Sequence, residues 1–259
     1  MRWAFLVCLL VMQLDFLLSQ DSKPQNIGFD WGLTFMDNEL SDTDRIRGDA
    51  DSDNGAQASA SITSFSFGNS FGMKTEIYFL NNMFGLSPGI RYSRTYDYAG
   101  KWGLWTSGQS YFYWLFREDG VNTEYLRVKR IHQRSDYIGM PVEIRFFPAR
   151  RPHRFQVYLK MGTELGFRLH TKTNIVFWDA AMDSYEREVA SQVDKPGRIG
   201  FSMYQCFGFR IGRDVNHTFS VEAILPRFGL TSGSYGLLKK SYEGGIQFHL
   251  YIPIQSGLK

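Results

Sequence analysis

The fold class follows from one stretch of the sequence, Phe155-Gln-Val-Tyr-Leu-Lys-Met-Gly-Thr-Glu-Leu-Gly-Phe-Arg-Leu-His170. Its odd positions are almost all apolar. Its even positions include glycines and charged residues, namely Lys160, Gly162, Glu164, Gly166 and Arg168. Successive side chains of a β-strand point to opposite faces, so the alternation predicts a strand with one apolar face and one polar face.

Seven further stretches show the same alternation. They span residues 26–36, 65–80, 86–98, 137–147, 199–212, 218–229 and 241–254. No competing segment has a convincing helical period. The connections alternate in length: residues 37–64, 99–134 and 171–198 are long, whereas 81–85, 148–154 and 213–217 are short and 230–240 is intermediate. In an antiparallel meander, alternate connections lie at opposite ends, so the long ones share one rim. The sequence therefore predicts an all-β fold, an eight-stranded antiparallel up-and-down transmembrane β-barrel with long loops on one rim.

The longest connection is expected to have structure of its own. Residues 103–116 are rich in aromatic side chains, Asp119-Gly120 is a hairpin turn signal, and residues 121–131 return as a mixed apolar and charged run. This pattern favours a hairpin that projects beyond the membrane. The alternative is an unstructured loop.

The apolar face is predicted to point outward to lipid. The strands reach or exceed the roughly 9 to 11 residues that a tilted strand needs to cross a bilayer, and several aromatic residues lie near their ends. The polar face carries charges of both signs in equal number: Asp30, Glu76, Glu143, Glu164, Glu222 and Glu243 against Lys74, Arg91, Arg145, Lys160, Arg168 and Arg210. An eight-stranded lumen is just wide enough for side chains to fill it, so this balance predicts an ion-paired plug.

A few side chains depart from this alternation. Gln205, Thr163, Arg94 and Arg227 fall on the apolar face. The two arginines lie near the long-loop rim, where their guanidinium groups are expected to snorkel toward the polar surface. His170 and His249 fall on the polar face and are expected to join the plug.

The N-terminus has the features of an export signal. Arg2 precedes a leucine-rich apolar run over residues 4–18, which Gln13 and Asp15 interrupt, and Ser19-Gln-Asp21 then changes the composition. We predict a signal peptide over residues 1–20 and an outer-membrane β-barrel domain over residues 21–259. The alternative is a single membrane anchor, which the shortness of the run and Asp15 disfavour.

Composition excludes several other classes. The chain has 29 basic and 26 acidic residues, a net charge of +3, which is too balanced for a nucleic-acid-binding protein. Its 2 cysteines cannot form a disulfide framework, and signal cleavage would leave Cys206 alone. Apart from the N-terminus no window holds 18 uninterrupted apolar residues, which excludes a helical membrane protein.

Three segments resemble the PorT-like outer-membrane β-barrel proteins of Bacteroidetes-type bacteria, whose shape is similar to that of the OmpA transmembrane domain. They are residues 86–94, which begin Leu-Ser-Pro-Gly, residues 136–145, which begin Asp-Tyr-Ile-Gly-Met-Pro, and residues 158–166. Gly139 stands where the family has a polar or acidic residue, and Arg145 stands for Lys. The resemblance implies an integral barrel in the cell outer membrane. It implies no specific role, since some relatives serve a secretion machine, and it offers no catalytic residues to transfer.

The sequence gives only weak signals for a metal site or a catalytic site. Asp49, Asp51 and Asp53 alternate as in a calcium loop, but Gly55 falls one place late and position 12 is Ala60. The plainer interpretation of the acidic loop over residues 37–55 is a solvated surface, and a calcium site is the alternative. An enzyme would need a nucleophile beside a base. Ser135 cannot easily meet His132 or Asp136, because adjacent side chains of a strand point to opposite faces. Cys206 is expected to be a small filler, and the basic turn at residues 150–154 a solvated turn.

Three classes of function remain open. The first is a structural or interaction barrel with a plugged lumen, bound to the bilayer and to a protein partner through its long loops, within a secretion or envelope complex. The second is an outer-membrane lipid-modifying enzyme, and the third a soluble lipocalin-like ligand-binding barrel. We predict the first, with no enzymatic activity, catalytic residues, cofactor, metal or nucleic-acid partner.

Overall fold

The computed structural model describes residues 26–37, 39–41, 44–47, 62–80, 82–100, 111–120, 122–148, 154–212, 217–229, 236–239 and 243–254. The predicted signal peptide lies outside these residues. So do the aspartates of the calcium hypothesis and most of the basic turn at residues 150–154.

The described chain is built almost entirely of strands. In chain order they are β1 (Asn26–Asp37), β2 (Glu39–Leu40), β3 (Ile46–Arg47), β4 (Thr63–Phe79), β5 (Phe84–Gly100), β6 (Phe112–Asp119), β7 (Asn122–Phe146), β8 (Phe155–Phe177), β9 (Ile199–Ile211), β10 (Thr218–Gly229), β11 (Leu238–Lys239) and β12 (Glu243–Pro253). Eight of them, β1, β4, β5, β7, β8, β9, β10 and β12, each pair antiparallel with two neighbours, and the pairing of β1 with β12 closes the ring. The predicted eight-stranded barrel is confirmed.

Along the strands of the ring, successive side chains alternate between exposed and buried. On β7 the outward residues Ile138, Met140, Val142 and Ile144 are 41–48% exposed, whereas Glu143 between them is 0% exposed. The same alternation along β9 leaves Ile211 exposed and buries Arg210. The apolar face therefore points outward and the charged face inward, as predicted.

The long-loop rim carries the remaining elements. Strand β6 pairs with the first part of β7, with Asp119 opposite Asn122, and Gly120 occupies the turn with φ 56, a left-handed conformation that glycine adopts without strain. The predicted projecting hairpin is confirmed over its described residues. Strand β3 adds to the free edge of β6, and β2 pairs with β11 in a separate two-stranded sheet.

One element was not predicted. After β8 a 3-10 turn (Ala180–Tyr185) leads into a short helix, α1 (Glu186–Gln192). The Asp179 side chain caps the turn by accepting a hydrogen bond from the Ala181 backbone N–H at 3.0 Å. The sequence shows no convincing helical period here because seven residues are too few to reveal a 3.6-residue repeat. No helix among the described residues is long and apolar enough to cross a membrane.

Candidate functional site

The lumen holds one network of charged side chains. Its acids are Asp30, Glu76, Glu143, Glu164 and Glu222, and its bases are Lys74, Arg91, Arg145, Lys160 and Arg210. Each of these ten residues is at most 4% exposed. Because buried charges are tolerated only when paired and hydrogen-bonded, the equal numbers of each sign allow the lumen to be filled. The predicted ion-paired plug is confirmed for these ten residues.

Glu143 of β7 is the centre of the network. Its two carboxylate oxygens accept hydrogen bonds from five side chains: Lys74 at 2.7 Å, Tyr204 at 2.8 Å, and Arg91, Arg145 and Lys160 at 3.1 Å. These donors come from β4, β5, β7, β8 and β9. One carboxylate therefore links five strands of the ring across the lumen.

A second layer lies toward the short-turn rim. Glu76 accepts hydrogen bonds from Arg145 at 2.6 Å and from Arg210 at 2.8 Å, and Tyr78 donates to it as well. In the same layer, Glu222 of β10 accepts a hydrogen bond from the Tyr158 hydroxyl at 2.6 Å. These contacts form the end of the network that lies nearest the short turns.

Glu222 has two further partners. Its carboxylate pairs with Lys160 and lies 2.8 Å from Nε2 of His249, a residue that is 1% exposed. His249 therefore joins the plug, as predicted.

The third layer, toward the long-loop rim, centres on Arg91. Its guanidinium lies 3.3 Å from Asp30 and 2.8 Å from Glu164. Glu164 is also approached by Arg227, at 3.4 Å, and Arg227 donates to the Ser202 hydroxyl at 2.7 Å. The prediction that Arg227 points outward is wrong, because a register shift between Ile224 and Arg227 reverses the alternation on β10.

Two residues assigned to the plug do not reach it. Arg168 donates instead to the backbone carbonyl of Pro196, beside the long loop after β8. His170 is exposed, and a register shift opposite Asp136 and Tyr137 places it on the outer face of β8. The prediction that His170 lines the lumen is therefore wrong. The side chain of Glu243 lies outside the described part of the structure.

Three tyrosines complete the filling of the lumen. Each lies over a glycine on a neighbouring strand, so closely that an added Cβ would be 2.5 Å from Tyr251 at Gly28, 2.6 Å from Tyr204 at Gly162 and 2.4 Å from Tyr158 at Gly208. The glycines of the polar face thus provide room for rings whose hydroxyls and π-faces meet the charged groups. The three rings share the inward positions with the charged residues, but only the charges predicted a filled lumen.

An apolar cluster lies above the charged network. It combines inward residues of the upper strands, such as Ala99, Ile131 and Ile175, with residues of the long connections. Its other buried members are Leu40, Ile46, Ile62, Phe112, Trp114, Phe116, Leu126, Val128, Phe177, Val189, Val193, Leu237 and Leu238. We call this cluster the cap core. Only the run of aromatic residues at 111–116 signalled it in the sequence.

Polar contacts fasten the cap core to the barrel. Gln133 of β7 is 0% exposed. Its amide oxygen accepts from the Leu237 backbone N–H at 3.0 Å, and its amide nitrogen donates to the Asp194 carbonyl at 2.8 Å. Nearby, the Trp114 indole N–H donates to Gln192 of α1 at 2.9 Å. Two separate connections are therefore held against β7, and the hairpin is held against α1.

The candidate catalytic residues are not brought together. Ser135 points inward and lies 3.0 Å from the Thr171 hydroxyl, whereas Asp136 accepts from Arg94 at 2.6 Å on the outer side. His132 stacks on Tyr98, with ring centroids 4.6 Å apart. Cys206 is buried at 1% exposure. Within the described residues, no group of three or more potential ligands is arranged to hold a metal ion.

We expect the folded barrel to lose stability as the pH falls through the histidine range. His132 stacks on Tyr96 and Tyr98, closer to the long-loop rim than the apolar belt, the band of outward apolar residues around the barrel. Burial lowers the pKa of His132, and the charges of Arg130 and Arg134 lower it further against the opposing effect of Asp97. The unfolded chain, with a histidine pKa of about 6.5, then binds the proton more readily than the folded chain.

The check is an NMR titration of the ring. Its assigned signal should titrate below the ordinary histidine value. The unfolding midpoint should drop less between pH 7 and pH 5 in His132→Gln than in the wild type. A titration at or above the ordinary value would contradict the assignment.

These features define a closed eight-stranded β-barrel with an apolar outer surface, a charge-filled lumen and an apolar cap core. No protein-family model and no curated protein sequence matches the chain. Among solved structures, the chain is similar to the crystal structure of the outer membrane protein OprG from Pseudomonas aeruginosa, at 8% sequence identity and a TM-score of 0.33. The similarity covers 90% of this chain and 94% of the OprG chain.

Proposed function

We propose that this protein is an integral outer-membrane β-barrel with a plugged lumen, which serves a structural or interaction role and not a transport or catalytic one. The observation that carries the proposal is the distribution of side chains across the barrel wall. Phe71, Met73, Leu159 and Met161 are more than half exposed, while the adjacent charged residues Lys74 and Lys160 are buried. A protein in water would lose free energy by this arrangement, whereas a protein in lipid gains by it.

The dimensions of the outer surface support a bilayer. Along β9 the outward residues from Ile199 to Ile211 are apolar apart from Gln205. At about 3.3 Å per residue and a tilt of roughly 40°, the strand spans about 30 Å, close to the hydrocarbon core. Stacked rings lie on the outer surface near both rims: Phe79 on Phe84 at 5.7 Å near the short turns, and Phe65 on Tyr98 at 4.8 Å near the long loops.

The contents of the barrel support a structural role. The charged network occupies the membrane-spanning part of the lumen, and the cap core lies above it. Water and solutes passing through such a barrel would have to break several buried ion pairs at once. We therefore propose that the protein acts through its outer surfaces, with the cap and its hairpin contacting a protein partner in a secretion or envelope complex of the PorT-like kind.

The alternatives have less support. A soluble lipocalin-like barrel needs an apolar lumen, whereas here the lumen is charged. A lipid-modifying enzyme needs a nucleophile beside a base, and among the described candidates Ser135 and His132 lie on opposite sides of the wall.

Membrane fractionation with gel electrophoresis tests the proposal. We expect the protein in the outer-membrane fraction, extracted only by detergent, with a mobility that differs between unheated and boiled samples. Recovery in the soluble fraction without detergent would contradict the proposal. Crosslinking from the hairpin, followed by mass spectrometry, should then identify a stoichiometric partner.

A charge placed on the outer wall should separate a lipid environment from a watery one. Met140 is 48% exposed on the apolar belt, between Ile138 and Val142. In a bilayer we expect Met140→Arg to destabilise the barrel by about 1–3 kcal/mol, because the cost of a buried cation is largest at the membrane midplane and falls toward the headgroups. The measurement is the urea midpoint of the folded band in vesicles.

Thr123→Arg is the matched control, because Thr123 is exposed on the projecting hairpin. It should leave the midpoint unchanged. Equal midpoints for the two variants would show that Met140 faces water.

A further inference from the structure

Charged side chains on the outer wall are confined to one side of the barrel. Among the described side chains, the outward faces of β1, β4, β9, β10 and β12 carry no charged residue. The charges lie on β5, β7 and β8, above the apolar belt. Four of the cations, Arg94, Arg130, Arg134 and Lys172, lie between the apolar belt and the projecting hairpin, and we call these four residues the basic patch.

Strand register brings the patch together. Arg134 of β7 lies directly opposite Lys172 of β8, and Tyr96 of β5 lies on the other side of Arg134. One step closer to the belt, Arg94 lies opposite Asp136. Arg130 is opposite Val176, further from the belt. Neighbouring strands are about 4.8 Å apart, so the side chains of Arg134 and Lys172 can approach one group, whereas Arg130 lies about 13 Å further along β7.

Within the described part of the structure, the cations of the patch outnumber the acid that pairs with them. Asp136 pairs with Arg94 at 2.6 Å and, more distantly, with Arg134 at 3.7 Å. Arg130 and Lys172 are exposed. Like charges directly opposite each other on paired strands are destabilising. The pairing of Arg134 with Lys172 therefore favours an anion held between them.

The position of the patch at the edge of the apolar wall favours a lipid headgroup as the anion. Two residues below Asp136 the outer face becomes apolar at Ile138, and two residues below Arg94 it is Tyr92. The patch thus lies at the level where acyl chains give way to headgroups, and the aromatic rings of Tyr96, Tyr98 and His132 lie beside it. Arginine and lysine bind phosphate through charge-assisted hydrogen bonds.

We infer that the basic patch holds the phosphate groups of a phosphorylated glycolipid of the outer leaflet, with the acyl chains along the apolar face of β7 and β8. This inference rests on the proposed function, since it requires the barrel to lie in an outer membrane. It assigns the β5–β7–β8 side of the barrel as a lipid-binding face and leaves the remaining wall without lipid preference.

The test measures glycolipid binding to detergent-purified full-length protein by native mass spectrometry. The probes are diphosphoryl lipid A and lipid A from which both phosphates have been removed. We expect the wild type to prefer the phosphorylated form, and the triple variant Arg130→Gln, Arg134→Gln, Lys172→Gln to bind it about tenfold more weakly. The matched control, Arg117→Gln, Arg154→Gln, Arg198→Gln, removes the same charge from exposed sites elsewhere and should bind like the wild type.

Several outcomes would overturn the inference. Equal binding of the two lipids by the wild type would do so even if the triple variant failed to fold. So would equal loss in both triple variants, or competition by inorganic phosphate as strong as that by the lipid. If the wild type inserts into vesicles but shows no preference for phosphorylated lipid, this inference alone is contradicted. If the wild type stays soluble, the proposed function is contradicted.

Discussion

Replacing Glu143 with glutamine is expected to cost the barrel about 3–5 kcal/mol of unfolding free energy, the usual penalty for removing one partner from a buried ion pair. The glutamine side chain has the same shape, so no cavity forms. Four cations, Lys74, Arg91, Arg145 and Lys160, lose a charge that lies within 3.1 Å of each of them. Their other acids, such as Asp30 and Glu76, already have partners, so the uncompensated charge stays buried.

The measurement is the urea midpoint of the folded, unheated band in detergent or vesicles. Glu188→Gln is the matched control: it breaks an exposed pair with Arg117 at 3.1 Å and should leave the midpoint unchanged. Adding Lys74→Met to Glu143→Gln should recover part of the lost unfolding free energy, because it removes one of the four cations left without a counter-charge. Equal midpoints for Glu143→Gln and Glu188→Gln would show that the network does not hold the barrel together.

A single methyl group at Gly162 is expected to disrupt the plug. The added Cβ would lie 2.6 Å from the ring of Tyr204, a side chain that is 2% exposed. The ring has to move, and its hydrogen bond to Glu143 at 2.8 Å is then lost. Overpacking together with a broken buried hydrogen bond gives an expected cost of about 2–5 kcal/mol for Gly162→Ala.

Gly200→Ala provides the matched control on the next strand. An added Cβ at Gly200 has nothing within 4 Å. The same substitution there should leave stability unchanged or slightly raised, since alanine restricts the unfolded chain. Unfolding by urea with tryptophan fluorescence would compare the two. If both alanine variants unfold at the same midpoint, the close packing of Tyr204 on Gly162 is not a source of stability.

Period-two alternation was enough to predict the barrel and the orientation of its wall. Each side chain of a strand takes the face opposite to that of its neighbours, so Glu143 and Met140 were assigned to opposite sides without any tertiary information. The equal numbers of acids and bases on one face predicted a filled lumen for a similar reason, because a narrow lumen accepts charges only in balance. Loop lengths placed the hairpin and both rims.

Only the tertiary structure decided which groups meet. Register shifts on β8 and β10 turned His170 outward and Arg227 inward, and a one-residue shift leaves no signal in an alternating pattern. The convergence of five donors on Glu143 depends on closure of the ring, which joins residues far apart in the chain. The cap core likewise forms from connections too irregular to show a period, because its members, such as Leu237 and Trp114, are brought together by packing and not by local sequence.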